Sequence, residues 1–206
     1  LERHLAGDPA PLNAYSMTAT AATQKKFNHP VGNPGSALAS LVYAHHFDGR
    51  IYGRLMSNYA VSAGVKTVHG TTTGVDTDED GFIDRIILDS GETVRGDLFI
   101  DCSGEQATLI GDTLSVEHED WSSWQPWDTV LTARSSRPGD LPPYTTVKAH
   151  ELGWLRQIPL RHGFHNELVF SSAHVSKDQA ALAFESALGA AQTGDMSTRT
   201  QAAGPR

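Results

Sequence analysis

Between residues 48 and 64 the apolar positions follow a helical rhythm. Ile51, Tyr52, Leu55, Met56 and Tyr59 recur at spacings of three and four, which places them on one helix face. Asp48 is a suitable N-cap, and Phe47 and Tyr52 stand at the two positions of a hydrophobic staple. Gly64 sits where a left-handed residue ends a helix. Val42–Phe47 before this helix and Val65–Val68 after it read as extended strands.

The rhythm then changes to that of a meander. Strand-like runs are separated by DEDG (Asp78 to Gly81) and by DSG (Asp89 to Gly91). In both, an Asp can bond its own backbone and a Gly tolerates positive φ. Leu98, Phe99 and Ile100 are continuously apolar, the pattern of a strand buried on both faces in a parallel sheet. That run stops abruptly at Asp101-Cys102-Ser103-Gly104.

The flanking regions are less regular. Residues 1–40 form a polar segment punctuated by Pro and Gly, with a helix expected from about Asn13 to Lys25 and a loop from Asn28 to Ser36. Residues 41–110 group together around the helix and meander, and residues 111–188 form a second region of strands and a helix. Gly153–Leu160 and Glu167–Ser172 read as strands of an antiparallel sheet. Ser176 caps a predicted helix that runs to Leu188. The stretch 189–206 offers little to bury and is expected to be disordered.

Composition narrows the function classes. The 206 residues carry a net charge of -8, which argues against a general nucleic-acid or anionic-membrane surface. No apolar run approaches the roughly 20 residues of a membrane span. The start, LERHLAGDPAP, shows no apolar leader segment, and the single cysteine, Cys102, allows no internal disulfide. A reducing, cytoplasmic setting is the expectation. The ten histidines are scattered without metal-ligand spacing, so no metal site is expected. His45 and His46 are adjacent and would point to opposite faces of a strand.

Small residues at Cys102, Ser103 and Gly104 admit two readings. They form an ordinary tight turn with a packed cysteine, or they let the backbone approach a cofactor where a side chain would clash. Asp101 could fix the turn or contact that cofactor. Trp121, Trp124 and Trp127, spaced i, i+3, i+6, read as packing or as surface of a substrate region.

Several stretches together resemble one family. YAHHFDGRIYGRLMSNYAVSAGV, DEDGFI, GDLFIDCSG and PPYTTVKAHELGWLRQIPL are similar to segments of the flavin-dependent tryptophan halogenases, across about Ala21 to Leu188. The resemblance implies an α/β (α+β) fold class: a partial FAD/NAD(P)-binding Rossmann-like domain of the FAD-dependent hydroxylase type, with an antiparallel-sheet substrate region. It implies FAD as cofactor and halide as co-substrate. It also implies a separate flavin reductase and a small aromatic substrate such as tryptophan or another indole, and it is compatible with a homodimer. By resemblance, Asp101, Cys102, Ser103 and Gly104 would lie at the flavin. Thr72 falls where the family holds the adenine end through backbone groups, although the sequence by itself favours an ordinary polar strand residue there. Trp154, Ile158 and Pro159 match a signature beside the channel from flavin to substrate, and Trp154 also fits simple core packing.

The departures are specific. The chain has no GxGxxG phosphate loop. The family's catalytic lysine, its catalytic glutamate and its halide-binding segment have no counterpart, so no catalytic residue is assigned. Arg156 stands where the signature has its second tryptophan, and Glu105 and Gln106 come after the small-residue turn where an aromatic and a basic residue are usual. Three functional readings stay open: an inactive fragment of a halogenase, a related FAD monooxygenase, or a non-catalytic remnant or binding module. A fragment would leave sheet edges unpaired and prone to aggregate.

Overall fold

Ser176 opens the best-specified element of the fold. Its hydroxyl accepts from Gln179 N while the Gln179 side chain reaches back to the Ser176 N–H, a reciprocal capping box for a helix at Lys177–Leu188. Ala180 and Phe184 of this helix pack on Leu131, Ala133, Leu168 and Phe170 of a sheet. Phe170, Phe184 and Leu168 have no exposed surface, and each contributes on the order of 2 kcal/mol of burial.

The computed structural model describes residues 2–7, 9–136 and 139–205. It divides into two units, Leu1–Gly49 with Thr129–Arg199, and Arg50–Asp128 with Thr200–Arg206. The helices are α1 (Glu2–Leu5), α2 (Met17–Thr23), α3 (Gly49–Ser62) and α4 (Lys177–Leu188). Among the described residues, no helix is long and apolar enough to cross a membrane.

The second unit contains α3 and an antiparallel meander of β1 (Thr72–Thr77), β2 (Ile83–Leu88) and β3 (Thr93–Arg95). The turns form as their residues dictate. Asp78 Oδ1 accepts from Asp80 N and Phe82 N, and Gly81 and Gly91 have φ of +86° and +81°. Gly64, at φ +91°, ends α3 as expected, with Val65 N bonded to Ala60 O.

Burial in this unit departs from the pattern. The apolar face of α3 is exposed, and Leu98 and Ile100 are 79% and 78% exposed. Strands are expected at Val42–Phe47, Val65–Val68 and Leu98–Ile100, and none of the three carries a ladder. A strand buried on both faces needs strands on both sides. Among the described residues no strand pairs with 98–100, so the expected parallel strand is not formed.

The first unit holds a five-stranded sheet. Its strands are β4 (Thr129–Ser135), β5 (Thr146–His150), β6 (Gly153–Leu160), β7 (Gly163–Phe170) and β8 (Gln192–Thr200). Their order is β5-β6-β7-β4-β8. Two-residue turns join β5 to β6 and β6 to β7, and both ladders are antiparallel, as is β4 with β7. Leu155, Leu168 and Leu131 share the face under α4. The strand expected at Gly153–Leu160 is present as β6, and the one expected at Glu167–Ser172 is β7, which begins earlier, at Gly163, and ends at Phe170. The helix expected over Asn13–Lys25 is a 3₁₀ turn, Leu12–Tyr15, and then α2. Ser16 breaks it by accepting from Ala19 N, so it caps the second piece.

The expectation of a disordered stretch at 189–206 is corrected. Residues 192–200 form β8, with Met196 packed against the core, and Ser136 N donates to Ala191 O. Backbone bonding at a sheet edge needs few apolar side chains, which is why the polar composition gives no sign of it. Arg206 lies outside the described residues.

Candidate functional site

The turn after Ile100 is organised by Asp101. Its Oδ1 accepts from Ser103 N at 3.0 Å and from Ser103 Oγ at 2.6 Å. Its Oδ2 accepts from Leu109 N at 2.9 Å and Ile110 N at 3.0 Å. Ser103 Oγ in turn accepts from Thr108 N. The carboxylate therefore ties the end of the apolar run to the start of a π-type helical turn at Thr108–Thr113. These donors, the Ser103 hydroxyl first, then the Ser103 and Ile110 N–H groups, hold the carboxyl well below the usual carboxylate range against a small opposing effect of burial.

Both oxygens of Asp101 are thus engaged by its own turn. Cys102, Ser103 and Gly104 are all exposed. Gly104 has φ +69°, and a Cβ built there meets no atom within 4 Å. Its requirement is backbone conformation, and the space over it is open. This exposed ledge of small residues fits the approach of a flat cofactor, with Asp101 holding the ledge in shape. Thr72 lies elsewhere in the same unit, half-buried at the start of β1 opposite Leu88.

The channel-signature residues lie in the first unit, on β6. Register separates them into two faces. Trp154, Arg156 and Ile158 pair with Val169, Glu167 and His165 on the face away from α4. Pro159 pairs with Phe164 and is buried on the α4 side. The β5 ladder ends at Gln157, so Pro159 loses no hydrogen bond on that side. Arg156 Nε donates to Glu167 Oε2 at 2.7 Å, its Nη2 pairs with the same oxygen, and His165 Nε2 sits 3.1 Å from Oε1. Arg134, on the same face, pairs with Asp48 at 2.5 Å. Sequence reasoning singles out Arg156 and misses its partners, Glu167 and His165.

A second feature of this unit has no sequence signal. A cavity of about 620 Å³ lies among α2, residues 41–46 and Pro143–Tyr144. Phe27 and Tyr43 on its wall are in edge-to-face contact at 5.6 Å, and the run of rings continues through His29 and His45. His46 also lines the cavity, with its Nε2 3.2 Å from Thr145 Oγ1. Among the described residues no group of three or more metal-ligating side chains occurs.

Comparison with known proteins identifies the family. The family model for tryptophan halogenases matches residues 1–204. The tryptophan 6-halogenase ThaL of Streptomyces albogriseolus is 36% identical over 146 residues, 69% of this chain and 28% of ThaL. The tryptophan 7-halogenase KtzQ of Kutzneria sp. (strain 744) is 34% identical over 151 residues, 71% of this chain and 28% of KtzQ. Among solved structures, the flavin-dependent halogenase BrvH from Brevundimonas sp. BAL3 superposes with a TM-score of 0.89 at 39% identity, covering 100% of this chain and 42% of BrvH. A flavin-dependent halogenase from Xanthomonas campestris gives 0.88 at 32% identity, over 98% of this chain and 40% of its own. The fold is thus one shared with flavin-dependent halogenases, and the chain belongs to the tryptophan halogenase family. It spans about 28% of the length of these curated relatives.

Proposed function

We propose that this chain is the central part of a flavin-dependent halogenase that acts on an aromatic ring such as an indole and is inactive by itself. The observation that carries the reading is the pairing of a family match over residues 1–204 with the exposed ledge at Cys102–Gly104. Bound FAD, reduced by a separate flavin reductase, would supply the oxidation of halide by oxygen. Cys102, Ser103 and Gly104 would admit the flavin, and Asp101 would hold their backbone in place. Thr72 would offer backbone groups to the adenine end. Trp154 and Ile158 would wall the passage toward the substrate and exclude water from it. The exposed apolar faces of α3 and of Leu98–Ile100 support the view that further chain covers them in the working enzyme.

The Arg156–Glu167 ion pair favours a second reading, an FAD monooxygenase. It sets a charged pair where the halogenase signature has an aromatic wall. One experiment separates the readings. The chain alone, and the product of its reading frame extended on both sides, are incubated with FAD, a flavin reductase, NADH, bromide and indole, and products are read by mass spectrometry. Brominated indole from the extended protein alone supports the proposal. An oxygenated product supports the monooxygenase. Failure of the extended protein to bind flavin would leave the binding-module reading.

A further inference from the structure

His165 and Glu167 stand two residues apart on β7, and their side chains meet on the face that carries Trp154 and Ile158. The Glu167 side chain is 10% exposed, and Arg156 holds its Oε2 through two nitrogens. As the anion of this ion pair, Glu167 only accepts hydrogen bonds. The His165 nitrogen that lies 3.1 Å from its Oε1, Nε2, therefore carries a proton. In the neutral ring Nδ1 is then the acceptor. Arg156, where the channel signature has a tryptophan, thus fixes the carboxylate that fixes the ring. Neighbouring groups are already engaged. Arg134, directly opposite His165 on β4, is paired with Asp48, and Thr132, opposite Glu167, is bonded to Ser197. Among the described residues none is bonded to His165 Nδ1, and the only buried side-chain nitrogen or oxygen without a partner is His118 Nε2. The Nδ1 lone pair is therefore accessible, on a side chain 33% exposed whose partner across the ladder is Ile158.

We infer that His165 is a specificity-determining residue: its Nδ1 accepts a hydrogen bond from an O–H or N–H carried on the aromatic ring of the substrate, and Glu167 is the positioning residue that selects this tautomer. Phenols and indoles both carry such a donor, and aryl ethers and N-alkylated indoles lack it. A ring without the donor leaves the acceptor to water or unpaired, and binds less well for that reason. This role rests on the proposed halogenase reading in taking the face of Trp154 and Ile158 as the passage to the substrate.

Two measurements on the chain itself test both roles, at about pH 8, above the usual imidazole range. Long-range proton–nitrogen correlation spectra, with the His165 signals identified by their absence in His165→Phe, should show the Nε2–H form in the wild type. In Glu167→Gln, whose amide donates as well as accepts, both neutral forms should appear. Equilibrium dialysis then compares naphthol with methoxynaphthalene and indole with N-methylindole. The preference for the donor probe over its methylated partner should fall about fivefold in His165→Phe, the effect of one hydrogen bond, and the hydrophobic difference between the probes cancels in that comparison. His165→Gln, which offers a carbonyl acceptor, should recover part of the preference. A fall for naphthol alone assigns the donor to a phenol and a fall for indole alone assigns it to an indole N–H; either supports the inference. An Nδ1–H form in the wild type, or the same tautomer in Glu167→Gln, would overturn the role of Glu167. A preference unmoved by His165→Phe in both pairs, or no binding of any probe, would overturn that of His165. A His165-dependent preference with no halogenation by the extended protein would overturn the enzyme reading alone. Halogenation by an extended protein whose preference is unmoved by His165→Phe would overturn this inference alone.

Discussion

Arg156 and Glu167 are direct partners across the β6–β7 ladder, and their side chains form an ion pair on the face that also carries Trp154 and Ile158. The Glu167 side chain is 10% exposed and that of Arg156 39%, so the pair sits between the buried and surface limits. Surface pairs contribute about 0–1 kcal/mol, while breaking a buried pair costs about 3–5 kcal/mol. Glu167→Gln is expected to destabilise the first unit by about 1–2 kcal/mol, since it leaves Arg156 and His165 without their anion. A double-mutant cycle with Arg156→Gln, read from urea midpoints, should return a coupling of about 1 kcal/mol. Strictly additive costs would mean the pair contributes nothing.

Asp101 carries a pH dependence whose sign is fixed by its hydrogen bonds. Its folded pKa lies below the unfolded value, so the carboxylate stabilises the fold fully above about pH 4 and loses that contribution as pH falls through the unfolded value toward the folded one. Asp101→Asn removes one acceptor oxygen from a four-donor cluster and should cost on the order of 1 kcal/mol at pH 7, within the range of helix-cap losses. The gap between wild type and variant should narrow as pH is lowered from 5 to 2. Thermal melts of both proteins across that range measure it. A gap independent of pH would mean that the carboxylate charge plays no part.

How far these elements are legible in the sequence depends on how local their causes are. The turns at Asp78–Gly81 and Asp89–Gly91, the Gly64 stop of α3 and the capping box at Ser176 depend on residues within four positions, and the sequence displays them. Burial has causes farther away. The stripe of Ile51, Leu55 and Tyr59 says that a partner is needed, and it does not say whether the partner lies in the same chain. The exposure of Leu98 and Ile100 has the same origin. Arg156 stands out as a departure from a signature, and finding Glu167 requires the register of a hairpin whose turn, Arg161-His162, lacks the usual Asn-Gly or Asp-Gly signal. The rings around the cavity come from segments 16–28, 38–46 and 143–144, which no local pattern links.

The strand at Gln192–Thr200 gives a direct test of the reassigned stretch. Its amides that pair with β4 should exchange slowly in native-state hydrogen exchange, alternating with fast ones, as in an edge strand. Met196→Ala should cost about 1–3 kcal/mol, because Met196 packs against the Leu168 and Phe184 cluster. Prompt exchange throughout 192–200, together with no cost of Met196→Ala, would restore the picture of a disordered stretch.

Two glycines separate backbone demands from close packing. At Gly153, φ is +154° and a Cβ would stand 2.0 Å from Val169 O, so the neighbouring backbone of β7 has to move. At Gly104, φ is +69° with no atom within 4 Å of a Cβ. Gly153→Ala combines strain with a collision against backbone and should cost more than about 2 kcal/mol, loosening the β6–β7 hairpin that holds Trp154 and Arg156. Gly104→Ala meets only the left-handed penalty and should cost about 1 kcal/mol in this chain. If the ledge at Cys102–Gly104 receives the flavin, the order reverses for cofactor binding. Gly104→Ala should then weaken FAD affinity in the extended protein at least tenfold, while changing the melting temperature little. Flavin fluorescence titration and thermal melts on the same two variants measure both quantities. An FAD affinity unchanged by Gly104→Ala would mean that the open space over Gly104 belongs to solvent and that the small residues serve the turn alone.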